Sequence, residues 1–226
     1  MNLAEHYNQL YKTSSEAILA ENYTLDTQIN NGSDSRFGIT LLIRPSETVR
    51  ANIQLFLEDL KAIDDVQYYY PDADIHITVM SIISCYDGFS LDKIKVHDYI
   101  EIIEKSLIEV NQINIEFRGI TASSSAIMIQ GFPSDKTLTA FRNKLRDNFK
   151  KSDLQQSIDS RYTIETAHST VMRFQETLKN PEKLIQVLEQ YRDYDFGEFK
   201  VEKLELVYND WYQKVENTIH LADFYL

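Results

Sequence analysis

Apolar and polar positions follow two different periods along the chain. Between residues 3 and 21, apolar side chains recur at helical spacing, which predicts an amphipathic helix. Residues 37–43 are β-branched and apolar, and Pro45 stops the run, which is typical of a strand. Ser46 then precedes a second helical pattern, and serine is one of the residue types that commonly begin a helix. The chain therefore begins with helix, strand and helix.

The same alternation continues towards the C-terminus. Strands are predicted at 74–83, 113–120, 126–130, 162–174 and 199–208. Helices are predicted at 98–110, at 134–149 and after Asn180-Pro181, where a proline can occupy the first helical position. Interleaved strands and helices predict an α+β fold, in the sense of interleaved α/β elements, with two comparable halves. We assign residues 1–36 to an N-terminal helical extension and residues 37–226 to a single domain.

Two of the predicted strands carry the same short polar motif. Alternate residues of a strand share a face, so His76 and Thr78 point together, and so do His168 and Thr170. The apolar residues of the opposite faces are Ile75, Ile77 and Val79 in the first segment and Ala167 and Val171 in the second. One such motif alone is typical of a hydrogen-bonded core histidine. Two, each reading His-x-Thr-Val, indicate a shared functional site.

The duplicated motif resembles the 2H phosphoesterase superfamily, which includes 2'-5' RNA ligase-like proteins and cyclic phosphodiesterases. The resemblance covers roughly residues 37–208. It implies a bilobal fold with pseudo-twofold related lobes, in which the two motif strands lie along a central cleft. It also implies that His76, Thr78, His168 and Thr170 are the catalytic residues.

Paired histidines suit acid and base catalysis at phosphorus. An ordinary pKa near 6.5 allows one imidazole to accept a proton while another donates one, and threonine hydroxyls can stabilise phosphate oxygens. We therefore expect a metal-independent phosphoesterase, without a cofactor, acting on a small phosphodiester or a 2',3'-cyclic phosphate of a nucleotide or RNA end. A phosphate-ester-binding module without turnover is the alternative, and a sugar-modifying isomerase or epimerase is a weaker one.

A metal site is the competing interpretation of the two histidines, because strands that face each other could both supply ligands to zinc or iron. Neither motif has Asp or Glu two residues after its histidine, and the single Cys85 cannot complete a sulfur-rich site. We therefore predict no metal. Asp74 shares the predicted face of His76 and is a candidate for orienting its ring.

Three further residues are candidates for binding the substrate. Arg173 lies five residues after His168, a spacing found in some members of the 2H superfamily. An odd offset places it on the opposite face unless a bulge intervenes, so a surface ion pair is the favoured interpretation. Tyr86 and Trp211 are candidates for stacking on a nucleotide base, because both are predicted in loops.

Composition narrows the class of partner. The formal net charge is -12 and the sequence pI is about 4.8, which opposes binding along a long phosphate backbone. A small phosphate-bearing ligand remains the expected partner. The N-terminus lacks the basic start and apolar run of a signal peptide, and no apolar run is long enough to span a membrane, so we expect a cytoplasmic protein. The sequence does not predict an oligomeric state.

Overall fold

Two antiparallel sheets form the framework of the molecule. The computed structural model describes residues 2–226. Its strands are β1 (Arg36–Ile43), β2 (Tyr68–Tyr69), β3 (Ile77–Asp87), β4 (Asn114–Ala122), β5 (Ala126–Pro133), β6 (Ser169–Arg173), β7 (Asp195–Lys200), β8 (Lys203–Asp210) and β9 (Ile219–Tyr225). The first sheet has the order β3-β1-β8-β9, and the second has the order β2-β6-β5-β4-β7.

The two sheets share a common plan. Each motif strand, β3 or β6, pairs with a long antiparallel neighbour, and two further strands follow beyond that neighbour. The order β3-β1-β8-β9 in the first sheet therefore corresponds to β6-β5-β4-β7 in the second. This repetition confirms the predicted α+β fold with two pseudo-twofold related lobes.

Five α-helices pack against the sheets. They are α1 (Leu3–Leu19), α2 (Glu47–Lys61), α3 (Val96–Leu107), α4 (Thr137–Lys150) and α5 (Pro181–Gln190). Helices α3 and α4 contact each other beside the first sheet, where α4 contacts β3. Helices α1 and α2 contact strands of the second sheet, and α5 contacts both of these helices.

Local sequence explains where the helices begin. The Ser46 side chain accepts a hydrogen bond from the Val49 amide at 3.4 Å, which confirms the predicted start of α2. Asn180 does the same for the Lys183 amide at 2.8 Å, with Pro181 in the first turn of α5. The apolar face of α2 is completely buried, and burial of each such side chain contributes about 1.5 to 3 kcal/mol.

Helix α1 lies against the second sheet. Tyr7 and Ile18 of this helix are fully buried. The Tyr7 hydroxyl donates to the Gly131 carbonyl at 3.2 Å, and the Ser14 hydroxyl donates to the Ala122 carbonyl at 2.9 Å. The helix assigned to an N-terminal extension is therefore held by side chains that hydrogen-bond to the ends of β4 and β5.

Several predicted strand boundaries were wrong. The strand predicted at 162–174 is only Ser169–Arg173, because residues 151–168 form an irregular segment that we call the cleft loop. Arg146 holds this loop in place. Its guanidinium donates to the Asp159 carboxylate at 2.6 Å and to the backbone carbonyl of Ile164 at 3.0 Å. The strand predicted at 74–83 begins only at Ile77, after a short 3-10 helix, Asp72–Asp74.

The C-terminal strands also differ from the prediction. The run predicted at 199–208 is divided between β7 and β8, which belong to different sheets. Strand β9 was not predicted, because it lies at a sheet edge and only Phe224 is buried in it, which leaves little alternation to recognise. None of the helices within residues 2–226 is both long and apolar enough to cross a membrane.

Candidate active site

The two His-x-Thr-Val motifs occupy equivalent places at the starts of β3 and β6. His76 lies directly before β3, and His168 lies directly before β6. The predicted faces are confirmed, since the apolar residues around both motifs are buried while the two histidines and two threonines are partly exposed. All four polar residues line one cavity of about 180 Å³. The structure therefore brings together the four residues that the duplicated motif indicated.

A β-bulge lies at the last residue of each motif. In the β1–β3 pairing, Leu41 is opposite Met80 and Leu42 is opposite Thr78, so Val79 is the extra residue. In the β5–β6 pairing, Ile127 is opposite Met172 and Met128 is opposite Thr170, so Val171 is the extra residue. A bulge inverts the alternation of every residue that follows it.

The bulges bring the fifth residue after each histidine into the cavity. Ser81 and Arg173 both line it, although an unbroken strand would turn them away. The interpretation of Arg173 as a surface ion pair was therefore wrong, and the reason is the extra residue at Val171. Its guanidinium does pair with an acid, but a half-buried one, Asp26, at 3.2 Å.

Arg173 is held by groups around its guanidinium. Its Nε donates to the Tyr70 hydroxyl at 2.9 Å and its Nη1 to the Asp26 carboxylate at 3.2 Å, which leaves Nη2 without a partner among residues 2–226. The Tyr212 hydroxyl donates to the other Asp26 oxygen at 2.5 Å. These contacts fix the position of the guanidinium beside the cavity, and Asp26 contributes one of them from the segment before β1.

Both histidine rings are oriented through Nδ1. His76 Nδ1 lies 2.7 Å from the Asp74 carbonyl oxygen, which can only accept, so Nδ1 carries the proton and Nε2 is left as the free nitrogen. His168 Nδ1 lies 2.7 Å from the Thr166 hydroxyl oxygen. The Asp74 carboxylate accepts instead from the Val215 amide at 2.9 Å. The main chain of Asp74, and not its carboxylate, therefore orients His76.

Both rings are neutral in the free site at neutral pH. Desolvation lowers the pKa of His76 to about 4, with a further contribution from the cations Arg44 and Arg173. Desolvation also lowers the pKa of His168 to about 4, assisted by the positive charges of Arg142 and Arg173. A bound phosphate would oppose the effect of these cations, because its negative charge favours a protonated imidazole beside it.

Arg142 of α4 ties the two motif segments together. Its side chain is 1% exposed. Its Nε donates to the Val79 carbonyl, and its Nη2 donates to the carbonyls of Thr78 and Thr166, all at 2.9 Å. Burial lowers the pKa of this guanidinium to about 10, so it stays charged at neutral pH. Arg142 was not predicted from the sequence, although it occupies a core position on α4 between Leu138 and Leu145.

The cavity continues beyond the histidines towards Trp211. The guanidinium carbons of Arg161 and Arg36 lie 4.3 Å and 4.8 Å from the centre of the Trp211 ring, within cation-π range. Arg161 belongs to the cleft loop, and both it and Trp211 line the cavity. Tyr86 is not among the lining residues, and its hydroxyl accepts a hydrogen bond from Gln155 at 2.8 Å. Of the two aromatic candidates, the structure therefore places Trp211 at the site.

Residues 2–226 contain no cluster of three or more His, Cys, Asp or Glu side chains arranged to hold a metal ion. The acidic groups near the histidines are engaged elsewhere, Asp74 with the Val215 amide and Asp26 with Arg173. The polar groups that line the cavity are mainly imidazole, hydroxyl, guanidinium and amide groups, which can bind a phosphate ester.

Most of the chain matches the model of a known family. The family model described as the 2'-5' RNA ligase superfamily matches residues 49–212, which is more than half of the chain and includes both motifs. The chain belongs to the 2'-5' RNA ligase superfamily. This membership confirms the resemblance to 2H phosphoesterases and supports a phosphoesterase-like role. No curated protein matches the chain.

Solved structures of similar fold agree with this membership. TT0787 of Thermus thermophilus is 15% identical, with a TM-score of 0.59 over 84% of this chain and 97% of that one. Escherichia coli LigT in complex with 3'-AMP is 12% identical, with a TM-score of 0.56 over 84% and 98% of the two chains. A structure described as a phosphoesterase is 12% identical, with a TM-score of 0.54 over 84% and 98%. At such low identity these similarities show the fold alone.

Part of the site lies outside the matched region of the superfamily. Asp26, which pairs with Arg173, precedes residue 49, and so does the whole of α1. Arg142 and the cleft loop lie inside the matched region. In this member of the superfamily, the segment before β1 therefore adds to a site whose motifs belong to the common fold.

Proposed function

We propose that the protein is a phosphoesterase that hydrolyses a small phosphodiester or a 2',3'-cyclic phosphate of a nucleotide or RNA end. The observation that carries this proposal is the convergence of His76, Thr78, His168 and Thr170 on one cavity. Two imidazoles at the starts of equivalent strands can act in one displacement at phosphorus. One is the base that takes a proton from the attacking group, and the other is the acid that protonates the leaving oxygen.

The proposed reaction needs one protonated and one neutral histidine. The neutral imidazole takes a proton from water as the water oxygen attacks phosphorus. The bond from phosphorus to the leaving oxygen breaks, the electron pair stays on that oxygen, and the protonated imidazole supplies its proton. Both rings are neutral in the free site, and a phosphodiester monoanion carries no proton, so the negative charge of the bound substrate must favour uptake of one proton from solvent by one of the rings.

The remaining groups stabilise the charge that develops on the phosphoryl oxygens. Thr78 and Thr170 face the cavity with hydroxyls that are not engaged by any of residues 2–226. Arg173 offers its free Nη2 at the edge of the same cavity. Donors that are fixed before the reaction lower its barrier because they need no reorganisation at the transition state.

Ligands of structurally similar proteins support a phosphate-bearing substrate. LigT has been crystallised with 3'-AMP and with phosphate. A nucleoside 3'-monophosphate is one of the two products that opening of a 2',3'-cyclic phosphate can give. The net charge of -12 argues against a long nucleic acid, while the local charges of Arg161 and Arg173 suit a small anion.

An assay in ¹⁸O-labelled water tests this proposal. The substrates are 2',3'-cyclic nucleotides and RNA with 2',3'-cyclic ends, and a chelator is present. We expect a monophosphate product that carries one labelled oxygen, at a rate that the chelator does not change. Activity that disappears with chelator and returns with zinc would contradict a reaction without metal. An intact bound ligand with no turnover would indicate a binding module, and a modified sugar without phosphate chemistry would indicate an isomerase or epimerase.

A further inference from the structure

A second cavity meets the first at the catalytic motifs. Its volume is about 280 Å³, and it shares four lining residues with the first cavity: Thr78, Tyr162, Ile164 and His168. His76 lines only the first cavity, whereas His168 lines both. His168 and Thr78 therefore stand where the two cavities meet.

Helix α1 forms one wall of this second cavity. His6, Tyr7 and Leu10 contribute from α1, and Met128 contributes from β5. The cleft loop closes the cavity with residues that include Ile164 and Tyr162. The position of α1 is fixed by buried contacts, since the Tyr7 carbonyl accepts a hydrogen bond from the Thr121 hydroxyl at 3.0 Å. The wall that α1 contributes is therefore held in place by the packing of the fold.

The two cavities differ in charge. Arg161 and Arg173 line the first cavity, and its one carboxylate, that of Asp159, is paired with Arg146 at 2.6 Å. The lining of the second contains no arginine or lysine, and its one carboxylate, that of Glu165, disfavours an anion. Leu10 and Met128, which do not line the first cavity, give it an apolar surface. The first cavity therefore suits the anionic part of a ligand, and the second suits an uncharged, largely apolar part.

We propose that the second cavity binds one ester arm of a linear phosphodiester, and that this arm is an uncharged alcohol of modest size. The inference rests on the proposed function and deepens it. Both ester oxygens of a 2',3'-cyclic phosphate belong to one ribose, so such a substrate places nothing in the second cavity. A linear diester has two separate arms, and the two cavities that meet at His168 and Thr78 accommodate both.

The arrangement also assigns the two proton transfers. Water attacks phosphorus from the first cavity, and His76 takes its proton. The bond from phosphorus to the oxygen of the arm breaks, the electron pair remains on that oxygen, and His168 donates a proton to it. The products are a phosphomonoester in the first cavity and an alcohol in the second. His168 is assigned as the acid because it lines both cavities.

Binding of two matched ligands tests the inference. The methyl and benzyl esters of thymidine 5'-phosphate are both diester monoanions, and they differ only in the size of one uncharged arm. We expect calorimetry to show roughly tenfold tighter binding of the benzyl ester, within the range for burial of one apolar group of side-chain size. In Leu10→Trp, which fills the second cavity, the preference should disappear while the methyl ester binds as before. Leu10→Ala should reduce the preference without filling the cavity.

Leu19→Trp is the matched control, because Leu19 is on the same helix, is 50% exposed and does not line the cavity. It should keep the tenfold preference. Equal binding of the two esters by the unmodified protein, no binding of either ester, or a preference that survives in Leu10→Trp would overturn the inference. If the preference for the benzyl ester is found but neither ester is hydrolysed, the inferred binding of the arm in the second cavity stands and the proposed hydrolysis fails. If cyclic phosphates are hydrolysed but the two esters bind equally well, the proposed function stands and the inferred binding of the arm in the second cavity fails.

Discussion

Arg142 Nη2 lies 2.9 Å from the carbonyl oxygen of Thr78, inside the first His-x-Thr-Val motif. The same nitrogen is 2.9 Å from the Thr166 carbonyl, two residues before the histidine of the second motif. One buried side chain thereby sets the spacing between two segments that are far apart in sequence. It donates to carbonyls only, so its charge is not neutralised by a contacting carboxylate.

Arg142→Lys should damage the site while keeping the positive charge. An ammonium group on a flexible stem cannot bridge the same three carbonyls in a fixed plane. We expect the free energy of unfolding to fall by about 1 to 3 kcal/mol, the range for buried acceptors that lose a donor. Turnover should fall by roughly tenfold or more, because small misplacements of catalytic groups are costly. Chemical denaturation measures the free energy of unfolding, and steady-state kinetics measure the turnover.

The matched control is Arg118→Lys, at an exposed position, which should change neither quantity. An Arg142→Lys enzyme with normal kcat would contradict the positioning role.

The two threonine hydroxyls should matter for the reaction and not for the fold. Thr78→Val and Thr170→Val should each raise the activation free energy by about 1.5 to 3 kcal/mol, the worth of a hydrogen bond to a charged group. Thermal unfolding should be nearly unchanged, because both hydroxyls face the cavity. Thr121→Val is the matched contrast, since the buried Thr121 hydroxyl donates to the Tyr7 carbonyl at 3.0 Å. That variant should lose stability and keep kcat, and the reverse pattern would remove the threonines from the proposed mechanism.

The fifth residue after each histidine should contribute unequally. Arg173→Met removes a charged donor and should lower kcat/KM by roughly tenfold or more, as expected for a charge-assisted hydrogen bond. Ser81→Ala removes a neutral hydroxyl at the equivalent place beyond the first bulge and should lower kcat/KM by no more than about threefold. Kinetics of the two variants with one cyclic phosphate substrate provide the comparison. Equal effects would show that the charge of Arg173 is not used.

Stability should depend on pH through the two histidines. Their pKa is about 4 in the folded protein, below the ordinary value near 6.5 of the unfolded chain. Between these values the unfolded chain binds more protons, so stability is fully present above pH 6.5 and is lost as the pH falls towards 4. Each histidine contributes a slope of up to about 1.4 kcal/mol per pH unit in this window. Denaturation at several pH values should show a shallower slope in His168→Ala, and an unchanged slope would contradict a neutral buried ring.

The faces of the motif residues could be predicted from sequence because the two-residue period of a strand is a local property. His76, Thr78, His168 and Thr170 each point as that period requires. The bulges at Val79 and Val171 could not be predicted in this way, since they exist only in the pairing with β1 and β5. Arg173 was assigned to the wrong face for this reason.

Other parts of the site depend on contacts between distant segments. Arg142 reaches carbonyls of β3 and of the cleft loop from a helix, and only its core position in the α4 pattern gives a local signal. Gly131 in β5 is another example, because a Cβ at that position would lie 2.0 Å from the Ala167 carbonyl oxygen. The absence of a side chain lets the segment that leads to His168 lie against β5. Neither relationship has a counterpart in the periodicity of the sequence.

The turnover of His76→Ala, His168→Ala and the double variant tests the paired-histidine mechanism most directly. With a 2',3'-cyclic phosphate or a linear diester as substrate, each single variant should lose roughly 10²- to 10⁴-fold in kcat, the usual worth of acid or base catalysis. The double variant should be close to the worse single one, because groups that act in one step are strongly non-additive. All three should remain folded, as thermal unfolding would show, and His97→Ala, at a side chain that is 78% exposed, should retain full activity. Losses that multiply in the double variant, or a single variant that keeps normal turnover while folded, would contradict the paired mechanism.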